Sequence, residues 1–209
     1  MDLRVFQEAF ANRFSEHAIN SPMYELWDPI VIRKLDPCFD VEGMLSIKKQ
    51  QLLNLAFKHL DEGEAYFEVG TYRGKSLISA MLEGPARPVF ACDNFSQFDD
   101  NTLEILKANL AKYRFGDRVT FYNCDFLEAY TPERLPIPIG LYFYDGAHDF
   151  ESQYEAIKRV EPFLAKALGW RHGRSYYRGR QIFRLEMPHA DSEKYLPMYN
   201  LQQQYIEKF

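Results

Sequence analysis

The chain has 209 residues, 46% of them hydrophobic and 26% charged, with a net charge of −5. This suits one globular domain with a real core, with or without a small extension, and it argues against a general nucleic-acid binder, which needs a concentrated basic face. No apolar run approaches the ~20 residues that span a bilayer, and three cysteines, Cys38, Cys92 and Cys124, make no disulfide framework.

The N-terminus, "MDLRVFQEAFANRF", carries acids and no long apolar stretch, so it does not read as a secretory signal. A reducing, cytoplasmic location is expected, with no membrane and no nucleic acid among the partners. Leu3, Phe6, Phe10 and Phe14 repeat at helical spacing and form either a packing face or a contact in a homo-oligomer. "NSPMYELWDP" breaks that pattern with two prolines and reads as a loop carrying Tyr24 and Trp27. Residues 1–45 are therefore expected to form an N-terminal helical cap or lid.

Ser46 is placed to cap a helix running to about Leu60, with Leu53, Phe57 and Leu60 on one face. From there strands and helices alternate. "EAYFEVG" is a strand and 74–82 a helix; "RPVFACD" is a strand and "NTLEILKANLAKY" a helix with Leu103, Leu106 and Leu110 inward. "RVTFYNCD" and "IGLYFYDG" are strands. A helix over 149–165 follows, with Asp149 as its cap and Phe150, Tyr154, Ile157 and Leu164 aligned. Such alternation predicts βαβ units and a mostly parallel sheet over 46–165.

In such sheets ligands bind beyond the carboxyl ends of the strands. Glu68, Asp93, Asp125 and Asp145 fall at four successive strand ends, with Gly70 and His148 beside them. The stretch "YFEVGTYRGKSL" allows two loops. A phosphate-binding P-loop needs four residues between its glycines, whereas Gly70 and Gly74 enclose three. It would also set Glu68 and Asp93 near a polyphosphate, with Lys75 to offset them. The glycine pattern for NAD fails at Tyr72. A ligand without phosphate and with a positive end suits the acids better. An acid before the loop attracts the cation, N–H groups at the helix start suit a carboxylate, and Asp93, 25 residues after Glu68, suits a ribose diol.

"FEVGTYRGKS" resembles the first motif of class I S-adenosylmethionine-dependent methyltransferases, in its E-x-G-x-x-x-G-x-S form. "YDGAHDFESQYEAIKRVEPFL" resembles the D-G-x-H-x-[YF]-E stretch of the macrocin O-methyltransferase-like branch, whose members include sugar and natural-product O-methyltransferases. The resemblance covers roughly Ser46 to Leu164 and implies an α/β Rossmann-like class I methyltransferase fold with S-adenosylmethionine as cofactor. It implies that Glu68, Gly70 and Gly74 form the methionine-side loop, lined by Tyr72 and Ser76. Asp93 would hold the ribose, and Asp125 with the Phe126 backbone would meet the adenine. Asp145 would sit beside the transferring methyl, as metal ligand or cofactor contact, and His148 would face a small-molecule acceptor. From its place three residues beyond Asp145 and before the helix that Asp149 caps, His148 is also expected to act as general base for the acceptor hydroxyl.

Plainer readings stand beside these. Glu68 pairs with Lys75 or Arg73, Asp93–Asn94 is turn chemistry, Asp125 caps the next helix, and His148 bonds a loop carbonyl. Beyond Leu164 the family's fifth strand and Asp-Asp pair are not visible, so 166–209 is an atypical C-terminal part, with "RQIFRLEM" as a late strand and a terminal helix interrupted by Pro197. Either the sheet is shortened or residues near 166–170 are absent from the chain. Without the Asp-Asp pair no metal site is expected, since a divalent ion wants several oxygen ligands. The locally basic stretch Arg171–Arg184 is either a solvated face or an anion contact. The expected activity is O-methylation of a small-molecule hydroxyl, on a sugar or natural product. The alternatives are a non-catalytic S-adenosylmethionine-binding protein and a P-loop-like NTPase or phosphotransferase.

Overall fold

The structure, a computed structural model, describes residues 1–13, 38, 40–97 and 101–165. The expectations for Phe14, for the loop with Tyr24 and Trp27, and for everything from 166 onward lie outside the described residues.

Helix α1 spans Leu3–Arg13 and buries Phe6, with Phe10 packed at the edge of the same core. Helix α2 spans Ile47–Lys58, and the Ser46 hydroxyl caps it by accepting from Lys49 N. Leu53, Phe57 and Leu60 are buried as the helical spacing predicts. His59 closes α2, its Nδ1 2.8 Å from the Leu55 carbonyl. Then come β1 (Ala65–Val69), α3 (Lys75–Met81), β2 (Val89–Asp93) and α4 (Thr102–Lys112). They are followed by β3 (Val119–Asn123), α5 (Phe126–Ala129), β4 (Ile139–Tyr144) and α6 (Phe150–Val160).

Among the described residues all three strand pairings are parallel, in the order β3-β2-β1-β4. Parallel neighbours need crossovers, and the helices supply them on both faces. Strand alternation sorts the sheet's side chains accordingly. Tyr66, Ala91, Leu141 and Phe143 join the α2, α3 and α4 side; Ala65, Phe67, Val69, Phe90, Cys92 and Ile139 join the side of α5 and α6. Cys38 and Cys92 are free, buried thiols, and Cys124 is half-buried. No helix among the described residues is long and apolar enough to cross a membrane.

Two expected faces need correction. On α4, Leu106 and Leu110 are buried with Thr102, whereas Leu103 is only half-buried. On α6 the core face is Ala156 and Val160; Phe150 and Tyr154 are exposed and stack on each other with centroids 6.1 Å apart. Small residues let α6 approach the sheet closely, so large aromatics one position around the helix turn outward. Leu164, which was aligned with them, is beyond the helix and buried under the edge of β4.

That edge bears on the expected missing strand. Leu164 bridges Ile139 in the parallel sense, and Ala165 N donates to the Ile139 carbonyl at 2.9 Å. The chain starts along the outer side of β4, where a fifth parallel strand would begin.

Val160→Ala should lower the unfolding free energy by at least about 1.5 kcal/mol, since two buried carbons are removed at ~0.8 each before any cavity cost. Tyr154→Ala should cost less than about 1 kcal/mol, the worth of one exposed ring pair. Denaturant titration of the two variants checks this, and the reverse ranking would refute the assigned face.

Candidate active site

The strand register sets three acids at one end of the sheet. Val69 pairs with Cys92 and with Tyr144, and Asp93 pairs with Asn123, so Gly70, Asp93, the Cys124–Asp125 turn and Asp145 lie at one level. Gly70 N donates to the Cys92 carbonyl and Asp145 N to the Val69 carbonyl, extending the ladder one step beyond each strand.

Gly70 has φ +83, and a Cβ there would lie 2.5 Å from the Asp145 carbonyl carbon and 2.8 Å from Gly146 N. The loop can turn away from the sheet only if this position lacks a side chain. Gly74, with φ +89, opens α3 and lets the Leu106 side chain of α4 press against the loop, its Cδ1 2.8 Å from where a Cβ would stand. Between them Tyr72 is also left-handed, at φ 47.

Asp93 holds that turn. Its Oδ2 accepts from Tyr72 N and its Oδ1 from Phe95 N, each at 2.8 Å. The turn-chemistry reading is therefore present, in the Phe95 bond, but the same carboxylate also reaches across to the glycine loop. A carboxylate has about four lone-pair sites, so both oxygens retain capacity to accept. With Gly70, Tyr72 and Gly74 N–H groups all engaged by protein acceptors, the loop does not offer the run of free donors that a P-loop turns on a phosphate.

Glu68 lies inside β1 rather than at its end. It shares a face with Tyr66, is fully buried, and bonds two hydroxyls: Tyr66 Oη and, at 2.5 Å, Ser76 Oγ of α3. Burial pushes its carboxyl up to about 8, against the pull of those two hydrogen bonds; Asp145 and Asp93 push it the same way. The plain pairing with Lys75 or Arg73 does not form. Arg73 pairs with Glu42 and lies over the Tyr72 ring, and the Lys75 side chain packs against Gly43. Sequence reasoning missed Tyr66 and Glu42. Tyr66 was legible, two residues before Glu68 on an alternating strand; Glu42 was not, because its contacts with Arg73 and Tyr72 cross some 30 positions.

Asp125 caps α5, accepting from Leu127 N at 2.9 Å, and Asn94 approaches its other oxygen at 3.4 Å. Phe126 packs edge-on against Tyr130 and Tyr144. Asp149 caps α6 through Ser152 N. Asp145 and His148 are exposed, and their side chains form no hydrogen bond or ion pair with each other. His148 contributes its carbonyl, which accepts from Gln153 Nε2 at 3.0 Å, rather than bonding one. Tyr144 Oη donates to the Ala147 carbonyl and folds the 145–148 turn back on the strand.

The decisive feature is charge. Among the described residues, none of Glu68, Asp93, Asp125 and Asp145 is ion-paired with a lysine, arginine or histidine, while nearby cations pair with Glu42 and Asp40. Unpaired acids gathered at one end of a sheet suit a ligand that brings positive charge. No group of three or more His, Cys, Asp or Glu among the described residues is arranged to hold a metal ion.

A family model described as a methyltransferase domain matches residues 67–167. No curated protein matches the sequence. Among solved structures, cofactor-bound Rv0187 from MTB is 18% identical, with 78% of this chain and 67% of that chain covered and a TM-score of 0.50. The fold is that of the class I methyltransferases. The O-methyltransferase from Bacillus cereus in complex with SAH is 15% identical, covering 77% and 71% with a TM-score of 0.49. The O-methyltransferase TomG from Streptomyces achromogenes, involved in tomaymycin synthesis, is 16% identical, covering 77% and 70% with a TM-score of 0.48.

Two outcomes follow from this geometry. Gly70→Ala should destabilise the protein even without ligand, because the new methyl meets the β4 terminus; a thermal melt unchanged from wild type would contradict the close approach. Glu68 should make stability fall as pH rises. Its folded value lies above the ordinary one, so from about 4.5 to about 8 the folded state holds one more proton than the unfolded state. Its contribution is complete below that window and lost across it, at up to ~1.4 kcal/mol per pH unit. The difference in unfolding free energy between wild type and Glu68→Gln should carry this slope, and a flat difference curve would refute the raised carboxyl.

Proposed function

We propose that the protein transfers a methyl group from S-adenosylmethionine to a hydroxyl oxygen of a small molecule, in the manner of sugar and natural-product O-methyltransferases. The observation that carries the reading is three acids at the strand ends of a methyltransferase fold, Asp93, Asp125 and Asp145, with Glu68 buried beneath them and none of the four paired with a cation among the described residues. Their chemistry fits the cofactor, which has two cationic centres and a diol and carries no phosphate.

Asp93 accepts the ribose hydroxyls on lone pairs its two backbone donors leave over. Asp125 and the Phe126 backbone meet the adenine beside the α5 cap. Gly70, Tyr72 and Gly74 shape the methionine side, with Ser76 and Glu68 beneath. Asp145, which makes no hydrogen bond through its side chain among the described residues, faces the positive end. The bound cofactor supplies an electrophilic sulfonium methyl. The protein's share is to align the acceptor hydroxyl, where orientation can supply ~7–11 kcal/mol, and to take its proton. His148 is the base, an exposed residue in the turn that follows β4.

S-adenosylhomocysteine should raise the melting temperature, as a ligand of the native state must, and Mg-ATP should not. Asp93→Ala should abolish that shift and also lower the unliganded melting temperature, since it frees Tyr72 N. Transfer of labelled methyl onto a panel of hydroxylated small molecules then tests catalysis. His148→Ala should leave the thermal shift intact and cut turnover ~10²-fold or more. Binding without transfer to any acceptor would favour a non-catalytic role, and full turnover by His148→Ala would remove the base assignment.

A further inference from the structure

We infer that Glu68 is a charge-reading residue for the cofactor: it is neutral in the free protein and gives its proton to solvent when a cationic ligand occupies the cleft. This rests on the proposed S-adenosylmethionine site and assigns one of its residues a role that a structural acid would lack.

A fully buried carboxylate needs either a cation or fixed donors. Glu68 has neither. Its partners are two hydroxyls, Tyr66 Oη and Ser76 Oγ. A backbone N–H can only donate and so favours the anion, but a hydroxyl can donate or accept. The pair therefore satisfies both forms of the acid, the hydroxyl hydrogens rotating as the proton leaves.

The surroundings favour the neutral form until a cation arrives. Tyr66 on β1 is itself buried, and its phenol is held un-ionised, with its value pushed well up by desolvation and by Glu68. Asp93 from β2 and Asp145 from β4 are the other charges that act on Glu68, and both are acids. Ser76 on α3 is neutral, as are the buried Gln50, Gln51 and Asn54 of α2, which packs on α3. Lys75 and Arg73 are directed to Gly43 and Glu42. Three acids thus converge with no cation among them, and leaving one protonated relieves the repulsion. A sulfonium and an ammonium reverse the balance. Transfer of the methyl turns the sulfonium into a neutral thioether, so Glu68 regains part of its preference for the proton as the product forms, which weakens product binding relative to substrate.

Calorimetry of the whole chain with S-adenosylmethionine at pH 7, in two buffers of different ionisation enthalpy, counts the protons released. The expected result is release approaching one proton per site. Affinity should tighten by up to ~10-fold per pH unit below pH 8 and level off above it, as linkage requires. S-adenosylhomocysteine should release less, and methylthioadenosine, which lacks both positive charges, none. Glu68→Gln should bind S-adenosylmethionine with no release and no slope. If that variant does not fold, the wild-type midpoint decides: near 8 assigns the proton to Glu68, near 6.5 gives it to a histidine and overturns the inference. Wild-type binding without release, or equal release with methylthioadenosine, also overturns it while leaving the site standing. Failure of all three ligands to bind removes the site and the inference together.

Discussion

Parallel strands in register must all end on the same side, and in this protein that side collects acids without their counter-ions. Gly70 makes the arrangement possible. Its bare Cα lets the β4 terminus come within reach of the turn after β1, so Asp145 stands beside the loop rather than a side chain's width away. From the other neighbour, β2, Asp93 accepts the Tyr72 N–H. The turn of the loop and the place of Asp145 both depend on one position that cannot carry a Cβ.

The loop and its acid are consequently one unit. Tyr72 sits in a left-handed conformation that a non-glycine residue rarely adopts. Asp93 offsets that strain with a charged hydrogen bond, stronger than a neutral one. Arg73 meanwhile turns outward to Glu42, which keeps a cation out of the acid cluster and ties residues 40–45 across the loop. Asp40 does the same with Lys112 and Tyr113 of the α4 region. The segment before α2 therefore engages Arg73, the cation within the glycine loop, through Glu42.

Much of this was legible in the chain. The strands and helices follow from alternation and periodicity, and the caps at Ser46 and Asp149 from side chains that accept from N3. The acids were found because strand ends are easy to locate between apolar runs and glycines. What periodicity cannot report is which apolar stripe faces inward when two are present. On α6 the aromatic stripe looked the stronger, and close packing chose the small one, Ala156 and Val160. Nor does a strand-end motif tell an acid at the mouth from one beneath it. Glu68 is two residues short of the turn, and strand alternation sends it into the sheet–helix layer with Tyr66. The contacts of Glu42 and Asp40 join positions far apart in sequence and have no local signature.

The edge of β4 bears on how the sheet ends. An open edge of a parallel sheet exposes a row of unpaired backbone groups, which proteins cover or pair. Here the first step of that pairing is made: Ala165 N–H meets the Ile139 carbonyl, and Leu164 is buried beneath. Residue 139 is the start of β4, so this pairing is made at the end of the edge opposite Tyr144 and Asp145.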